Sequence, residues 1–571
     1  MYVIGISAYY HDSSVALFED GNLIFACEEE KFSGIKHDSG FPHLALKYIY
    51  KKYNIQPEEV EMVCYYEDPE IKISRVWNNF FKNFLDVPFT MLWSILSIYK
   101  NVRELKKNLK KISNNIYYST HHDSHIHYSY HTSPFEDAVI LSIDGVGEEE
   151  TLCVGYAKHG KMDIIPLSKY PHSVGLFYAA MTSFLGFKPN EGEYKVMGLA
   201  SYGDPEKYRK KVNRLLIHSC ASLKCNMQFF EWDRSNKVMF NENLSEFLGL
   251  PNRLPEDPLT QDYMDLAASV QEKYEKVLFE LLRDVQLFSD TKNLCLAGGC
   301  AYNGTANGKI KENTKFEKLW IPVAPSDAGS SIGACLAYLH QRCNYINVPS
   351  TPFLGPSYSD VDITNEKWFI DTINSNSDIE VQYKLTENQI NKMVSKDIVD
   401  GLVVGWFKDE IEFGARALGH RSILADPRHP EMRDRINKVV KKREGFRPFA
   451  PMVIFDEQGL YFETEDYIPY MNQVVKVKPE HRYKLPSVVH VDGTSRVQSV
   501  TTNNIMYPLL LEFKKLSGYP ILLNTSFNVK DKTIVLTPKD AMDTFLNTDM
   551  DCLMLDNIYI KKKNEKVTTK N

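Results

Sequence analysis

Along residues 2–30, YVIGISAYYHDSSVALFEDGNLIFACEEE, short apolar runs alternate with polar breaks. Runs of this length, rich in Val, Ile and Phe and parted by Glu-Asp-Gly-Asn, predict a strand, a turn and a strand with a hairpin at the break. The pattern returns at 137–162, DAVILSIDGVGEEETLCVGYAKHGKM: an apolar strand, an Asp-Gly turn, a second strand and a glycine-containing hairpin. Two such units suit a fold whose halves close on a nucleotide, because their turns can bring backbone N–H groups to phosphate and the Asp can hold a cation or water. A third stretch, NLCLAGGCAYNGTANGKI (293–310), predicts a buried strand running into a double glycine and then a helix. The apolar run VPFTMLWSILSIY (87–99) is shorter than the roughly 20 residues of a membrane span and predicts a buried helix. In NVRELKKNLKKI, which follows it, the charges fall at helical spacing, as on a solvated helix face.

With 571 residues the chain exceeds one ordinary core. The Pro-, Ser- and Gly-rich segment NVPSTPFLGPSYSDVDI (347–363) marks the main boundary. Domains are therefore expected at 1–350 and 360–562, followed by a lysine-rich, disordered tail at 563–571. A net charge of -7 argues against a nucleic-acid partner. The N-terminus lacks the basic and apolar regions of a secretion signal, and the cysteines form no CxxC pair. These features predict a cytoplasmic protein with free core thiols.

The stretch STHHDSHIHYSYH (119–131) holds five histidines. His121 and His125, four residues apart, fall on one helix face, where both imidazoles can reach one cation. Spacing alone leaves two alternatives open, a metal site or a set of capping, hydrogen-bonded histidines. His127 and His131 read as structural or surface residues. Asp144, Gly145 and Gly147 form either a phosphate-contact turn or an ordinary hairpin, and Gly298, Gly299 and Asn303 either a nucleoside-side loop or tight helix packing. In YYHDSS, His11 and Asp12 read locally as a capped turn. A basic run holds Arg416, Arg421, Arg428, Arg433, Arg435, Lys438, Lys441, Lys442, Arg443 and Arg447 in an otherwise acidic chain. It points to a polyanionic ligand, with part of it on a solvated helix at 433–443.

HDSSVAL, HHDSH, SIDGVGEEET, KVMGLASYG, LAGGCAYN, APSDAGSSIGA, EFGARALGHRSILADPR, VKKREGFRPFAP, HVDGTSRVQSV and LLNTSFNVKDKTIV occur in one order. In that order they resemble the NodU/CmcH-type O-carbamoyltransferases, from about residue 1 to 562. The resemblance implies an α/β protein: a duplicated actin/sugar-kinase-like domain, similar to threonylcarbamoyl-transfer enzymes, followed by a YrdC-like α/β domain. It implies that the second domain makes carbamoyladenylate from carbamoyl phosphate and ATP, with Mg at that site. The first would pass the carbamoyl group to a small-molecule hydroxyl of a sugar or natural product; because the intermediate hydrolyses easily, an enclosed passage shared by the two domains is expected to protect it. It makes Asp327 the third ligand beside His121 and His125, with iron as the metal, and His122 a residue beside the nucleotide. Lys195 and Gly198 join the ligand contacts, and His11, Asp12 and Lys36 fall where the acceptor alcohol binds, with a neutral His as base. In the second domain it implies that Arg416, Arg421, Lys441, Arg447, Arg496 and Ser526 bind the anions, with Thr494 and Asn524 as neutral donors. Asp409, Glu410 and Ala415 depart from the family pattern. The aromatic-rich insertion at 65–115 (Trp77, Phe80, Phe81, Trp93) is expected near the acceptor pocket or in the core, and a homodimer is expected for such an enzyme. Transfer to tRNA and a non-catalytic regulator are the competing readings.

Overall fold

The computed structural model describes residues 1–82, 90–219, 222–235, 237–342, 345–441 and 447–563, with 90–94 and 439 described by backbone alone. Lys442, Arg443, the Trp93 side chain and all but the first residue of the expected disordered tail lie outside the described parts. The chain forms two compact units. One comprises Met1–Glu29 with His37–Ser350, and the other Glu30–Lys36 with the chain from Thr351 onward.

The first unit is a duplication. Its first sheet contains β1 (Tyr2–Ser7), β2 (Ser14–Glu19), β3 (Asn22–Glu28), β4 (Val60–Tyr65) and β5 (Ile116–Tyr118), in the order β3-β2-β1-β4-β5. The second contains β6 (Ala138–Ile143), β7 (Glu150–Lys158), β8 (Lys161–Lys169), β11 (Asn293–Ala297) and β12 (Lys318–Trp320), ordered β8-β7-β6-β11-β12. In both, the first three strands are antiparallel and the last two add in parallel. A small hairpin of β9 (Leu216–Ser219) and β10 (Ser222–Cys225) stands apart. Each half has a tight hairpin between its second and third strands. Asp20 and Gly21 take φ of 49° and 80°, and His159 and Gly160 take 50° and 74°. Two consecutive positive φ values match the right-handed twist of the flanking strands, which explains the Asp-Gly and His-Gly pairs.

In each half the last strand runs into a buried helix: β5 into His121–His131 and β12 into Asp327–His340. The Asp327 helix packs on β1, β2 and β4, the His121 helix on β6, β7 and β11, and the two helices pack on each other between the sheets. Glycine makes this contact close. A Cβ on Gly333 would stand 1.9 Å from the Ser124 carbonyl oxygen, and one on Gly329 2.3 Å from the Tyr128 ring.

The second unit is a mixed eight-stranded sheet ordered β13-β22-β21-β14-β15-β20-β16-β19. Its strands are β13 (Ile379–Gln382), β14 (Val404–Phe407), β15 (Arg421–Ala425), β16 (Ala450–Ile454), β19 (Gln498–Val500), β20 (Ile521–Ser526), β21 (Cys552–Leu555) and β22 (Ile558–Lys562). A ribbon of β17 (Val474–Lys476) and β18 (Thr494–Arg496) accompanies it. Alternation sorts its side chains: Ile423, Ala425, Ile521 and Leu523 enter one apolar cluster, and Leu424, Val404, Trp406 and Leu522 the other. Both faces are therefore covered.

Of the apolar run at 87–99, residues 87–89 lie outside the described parts. In the helix described over Thr90–Ile112, Ile95 is buried as expected, while Leu96 and Tyr99 are exposed, so this part is a half-exposed helix and not a buried one. Among the described residues no helix is long and apolar enough to cross a membrane.

Candidate active site

The His121–His131 helix starts where Thr120 accepts the Asp123 N–H and the Glu148 carboxylate takes the His121 N–H at 3.0 Å. One turn later His125 lies over His121, with their Nε2 atoms 3.1 Å apart. Asp144 Oδ2 reaches these nitrogens at 2.9 and 3.1 Å, and Asp327 Oδ1 at 3.7 and 3.5 Å. Asp327 Oδ2 and His121 Nδ1 are enclosed and meet no hydrogen-bond partner. A buried carboxylate oxygen left unpaired beside converging imidazoles is costly without a cation between them. Two nitrogens and two carboxylates thus fit a divalent transition metal. Ser330 Oγ, 3.2 Å from His125 Nδ1, orients that ring. Burial disfavours the imidazolium form, but Asp144 and Asp327 outweigh it. They raise His121 to about 9 and His125 as well, and the two rings in turn hold Asp144 far below the carboxylate range despite its burial.

Asp144 therefore sits in this histidine–carboxylate cluster, on a turn the sequence left as a phosphate contact or an ordinary hairpin whose Asp could hold a cation or water. The Gly145 and Gly299 N–H groups donate to its other oxygen at 2.7 and 3.3 Å. Gly147 makes room for the cluster, since a Cβ there would lie 3.0 Å from His121 Cβ. Gly298, at φ 84°, passes so close to Ile143 that a Cβ would meet its carbonyl oxygen at 2.2 Å. His122 turns away, with Nδ1 2.8 Å from Ser142 Oγ, and burial pushes it down to about 3. Asn303 is buried in a reciprocal amide pair with Gln271 and caps the next helix, which is a structural placement. Lys195 is half-buried with its ammonium 5.6 Å from the Phe187 ring centre, and Gly198 faces open space.

The β1–β2 connection, equivalent to the β6–β7 turn that carries Asp144, forms a second array. Asp12 binds His11 Nδ1 at 2.8 Å and His37 Nδ1 at 2.7 Å. His11 Nε2 faces the Asn190 carbonyl at 3.2 Å, so both nitrogens of that ring meet acceptors. Burial opposes a charge on His11, yet the Asp12 hydrogen bond and charge prevail and raise it to about 9. This environment favours the charged ring over the neutral base expected at His11. Tyr9, Asp12 and His37 all take positive φ, of 71°, 42° and 55°, a concentration of backbone strain typical of functional loops. Lys36 is exposed and clusters with the second unit, and its neighbour His37 supplies the side chain of this array. Asn108 donates to the Tyr9 hydroxyl at 3.2 Å. It also lines a cavity of about 470 Å³ with Phe41, Leu46, Tyr50, Lys51 and Lys111. In the 65–115 insertion, Trp77 stacks on an exposed Phe81 at 5.5 Å, with Phe80 edge-on.

In the second unit Arg421 is fully enclosed. Its guanidinium donates to the carbonyls of Lys408, Asp409 and His420 and lies 3.6 Å from the Phe407 ring centre. Desolvation lowers its pKa to about 10. Arg421 thus ties down the turn that contains Asp409 and Glu410, whose main chain does the binding. Lys441 is also buried, held by Ser526 and Asn528. Asn524 donates to Ala417 and Gln498. Thr494 bonds Asp492 and His490, while Arg416, Arg447 and Arg496 remain half-buried. Part of the basic run is neutralised internally: Arg428 pairs with buried Asp426 and Arg435 with Asp551.

Residues 2–336 match the family model for the carbamoyltransferase N-terminus, and residues 395–562 that for the carbamoyltransferase C-terminus. The chain belongs to the carbamoyltransferase family. This carbamoyltransferase is 36% identical to the uncharacterized protein sll1178 of Synechocystis, over 98% of its own length and 97% of that protein. It is 34% identical to the nodulation protein NolNO of Sinorhizobium fredii, over 98% of this chain and 80% of that one. Among solved structures, full-length HypF in its phosphate- and nucleotide-bound form aligns over 60% of this carbamoyltransferase and 47% of its own chain. That alignment has 10% identity and a TM-score of 0.33.

Sequence reasoning missed His37 as a partner of Asp12, and it read the Asp144 turn as able to hold a cation or water without joining it to His121, His125 and Asp327. The available signal was duplication: both acidic turns join the first and second strands of equivalent sheets.

Proposed function

We propose that this carbamoyltransferase is an ATP-dependent O-carbamoyltransferase. Its second unit, of YrdC-like design, forms carbamoyladenylate from carbamoyl phosphate and ATP. Its first, of actin/sugar-kinase-like design, transfers the carbamoyl group to a hydroxyl of a sugar or natural product. The convergence of His121, His125, Asp144 and Asp327, in a chain of this family, carries the reading.

In the second unit carbamoyl phosphate releases phosphate to water, and the carbamate oxygen attacks the α-phosphorus of ATP as pyrophosphate leaves. Arg416, Arg447 and Arg496 offset the assembled negative charge. In the first unit the acceptor oxygen attacks the carbamoyl carbon, the carbon–oxygen bond to AMP breaks, and AMP leaves with that oxygen. The hydroxyl proton passes to His37. Asp12, 2.7 Å from His37 Nδ1, orients that ring. His11, already charged against Asp12, helps orient the acceptor. His121, His125, Asp144 and Asp327 would hold a divalent metal, iron by the family resemblance, which supplies a Lewis acid for the phosphate of the departing AMP.

The test is incubation of the full chain with ATP, carbamoyl phosphate and a panel of polyhydroxylated acceptors, read by mass spectrometry. A carbamoylated acceptor and AMP are expected in equal amounts, and no ATP cleavage with any acceptor would refute the reading.

A further inference from the structure

The two central helices carry a second cluster at their other ends. His127 and His131 lie in the last turns of the His121–His131 helix, and His340 ends the Asp327–His340 helix. The helices run parallel, with the first cluster near their N-terminal ends and these three histidines near their C-terminal ends. About 9 Å of helix rise separates His125 from His131. His127 is buried, His131 and His340 are half-buried, and one ring nitrogen from each lies within 4.8 Å of the others. The rings face one another in a triangle with centres 5.6, 5.0 and 5.1 Å apart. His127 Nδ1 and His131 Nε2 are enclosed without any hydrogen-bond partner.

We propose that His127, His131 and His340 form a second metal site, binding zinc or a similar borderline divalent ion and cross-linking the two helices. Three imidazoles with no carboxylate suit such an ion and not magnesium or calcium. Four-residue spacing supplies two ligands from one helix, and the neighbouring helix supplies the third. An ion about 2.0–2.1 Å from each nitrogen needs nitrogens about 3.3 Å apart, which small rotations of the three rings provide. Burial favours the neutral, metal-binding form of His131 and His340. The fourth position is left for water. The site is separate from the transfer chemistry, and its role is to fix the helix pair that carries the first cluster.

Metal-free full-length protein titrated with Zn²⁺ against a chromophoric chelator tests the proposal. His131→Gln and His340→Gln, each with unchanged circular dichroism, are expected to lose one tight equivalent relative to wild type, binding there on the order of 100-fold or more weaker. His125→Ala, which removes a donor from the first cluster alone, keeps that equivalent. Zinc-edge X-ray absorption of the His125→Ala protein is expected to show imidazole donors that are lost when His131→Gln is added. Equal zinc stoichiometry in wild type, His131→Gln and His340→Gln would overturn the site.

Discussion

Arg421 and Arg447 fall in the same basic run, yet only Arg421 is sealed into the protein, where backbone carbonyls bind its guanidinium. Arg421→Ala leaves those carbonyls unpaired around a cavity and is expected to cost about 3–5 kcal/mol, read as a lower midpoint in urea unfolding. Arg447→Ala is expected to change stability by less than about 1 kcal/mol while slowing pyrophosphate release on the order of 100-fold. The reverse pattern would assign the anion contact to Arg421. His11 gives a pH-dependent prediction. Its pKa is raised from the usual 6.5 to about 9, so its pairing with Asp12 stabilises the fold fully below pH 6.5 and loses that effect as pH rises through 9. The destabilisation caused by His11→Gln should therefore shrink between pH 6 and pH 9.5 in thermal unfolding, whereas a constant gap would contradict the pairing. The histidine pair at 121 and 125 was legible because helical spacing alone puts both rings on one face. The meeting of Asp144 with that pair and of His37 with Asp12 was not, because each reaches its partners through loop geometry, and nothing in a local sequence window shows a positive φ at His37 or a turn folding back on a helix.

The helix pair between the sheets depends on Gly329 and Gly333, which let the backbones approach where any side chain would collide. Gly333→Ala would place a Cβ 1.9 Å from the Ser124 carbonyl oxygen and force the helices apart. It is expected to destabilise the fold by about 1–3 kcal/mol and to weaken metal binding at His121, His125, Asp144 and Asp327. Calorimetry and metal stoichiometry check this, and unchanged metal binding in a destabilised variant would separate packing from the site. The hairpins were legible because Asp-Gly and His-Gly pairs suit a turn with two positive φ values. At 95–99 the expected burial holds for Ile95 alone among the large apolar residues compared, because one helix face packs inward while Leu96 and Tyr99 face outward. The basic run overstated its free charge for a related reason. Asp426 is adjacent in sequence, but Asp551 comes from a distant segment, and only folding pairs it with Arg435.

Within the first unit, one duplicated strand order places the two acidic turns at equivalent positions, and two buried helices bring His121, His125 and Asp327 to the Asp144 turn. The repeated strand–turn–strand pattern made the duplication legible, but the separate sheets and their pairing order depend on contacts more than 100 residues apart, such as β6 with β11. The eight-stranded order of the second unit has no comparable local signature, since β14 pairs with β21 nearly 150 residues later. The central claim is that adenylation and transfer use separate residue sets. Its most direct test measures pyrophosphate and AMP release from ATP and carbamoyl phosphate, with and without an active acceptor, in His121→Ala and Arg447→Ala. His121→Ala is expected to keep pyrophosphate release and lose acceptor-dependent AMP release, while Arg447→Ala loses both. Acceptor-dependent AMP release that persists at the wild-type rate in His121→Ala would contradict the account.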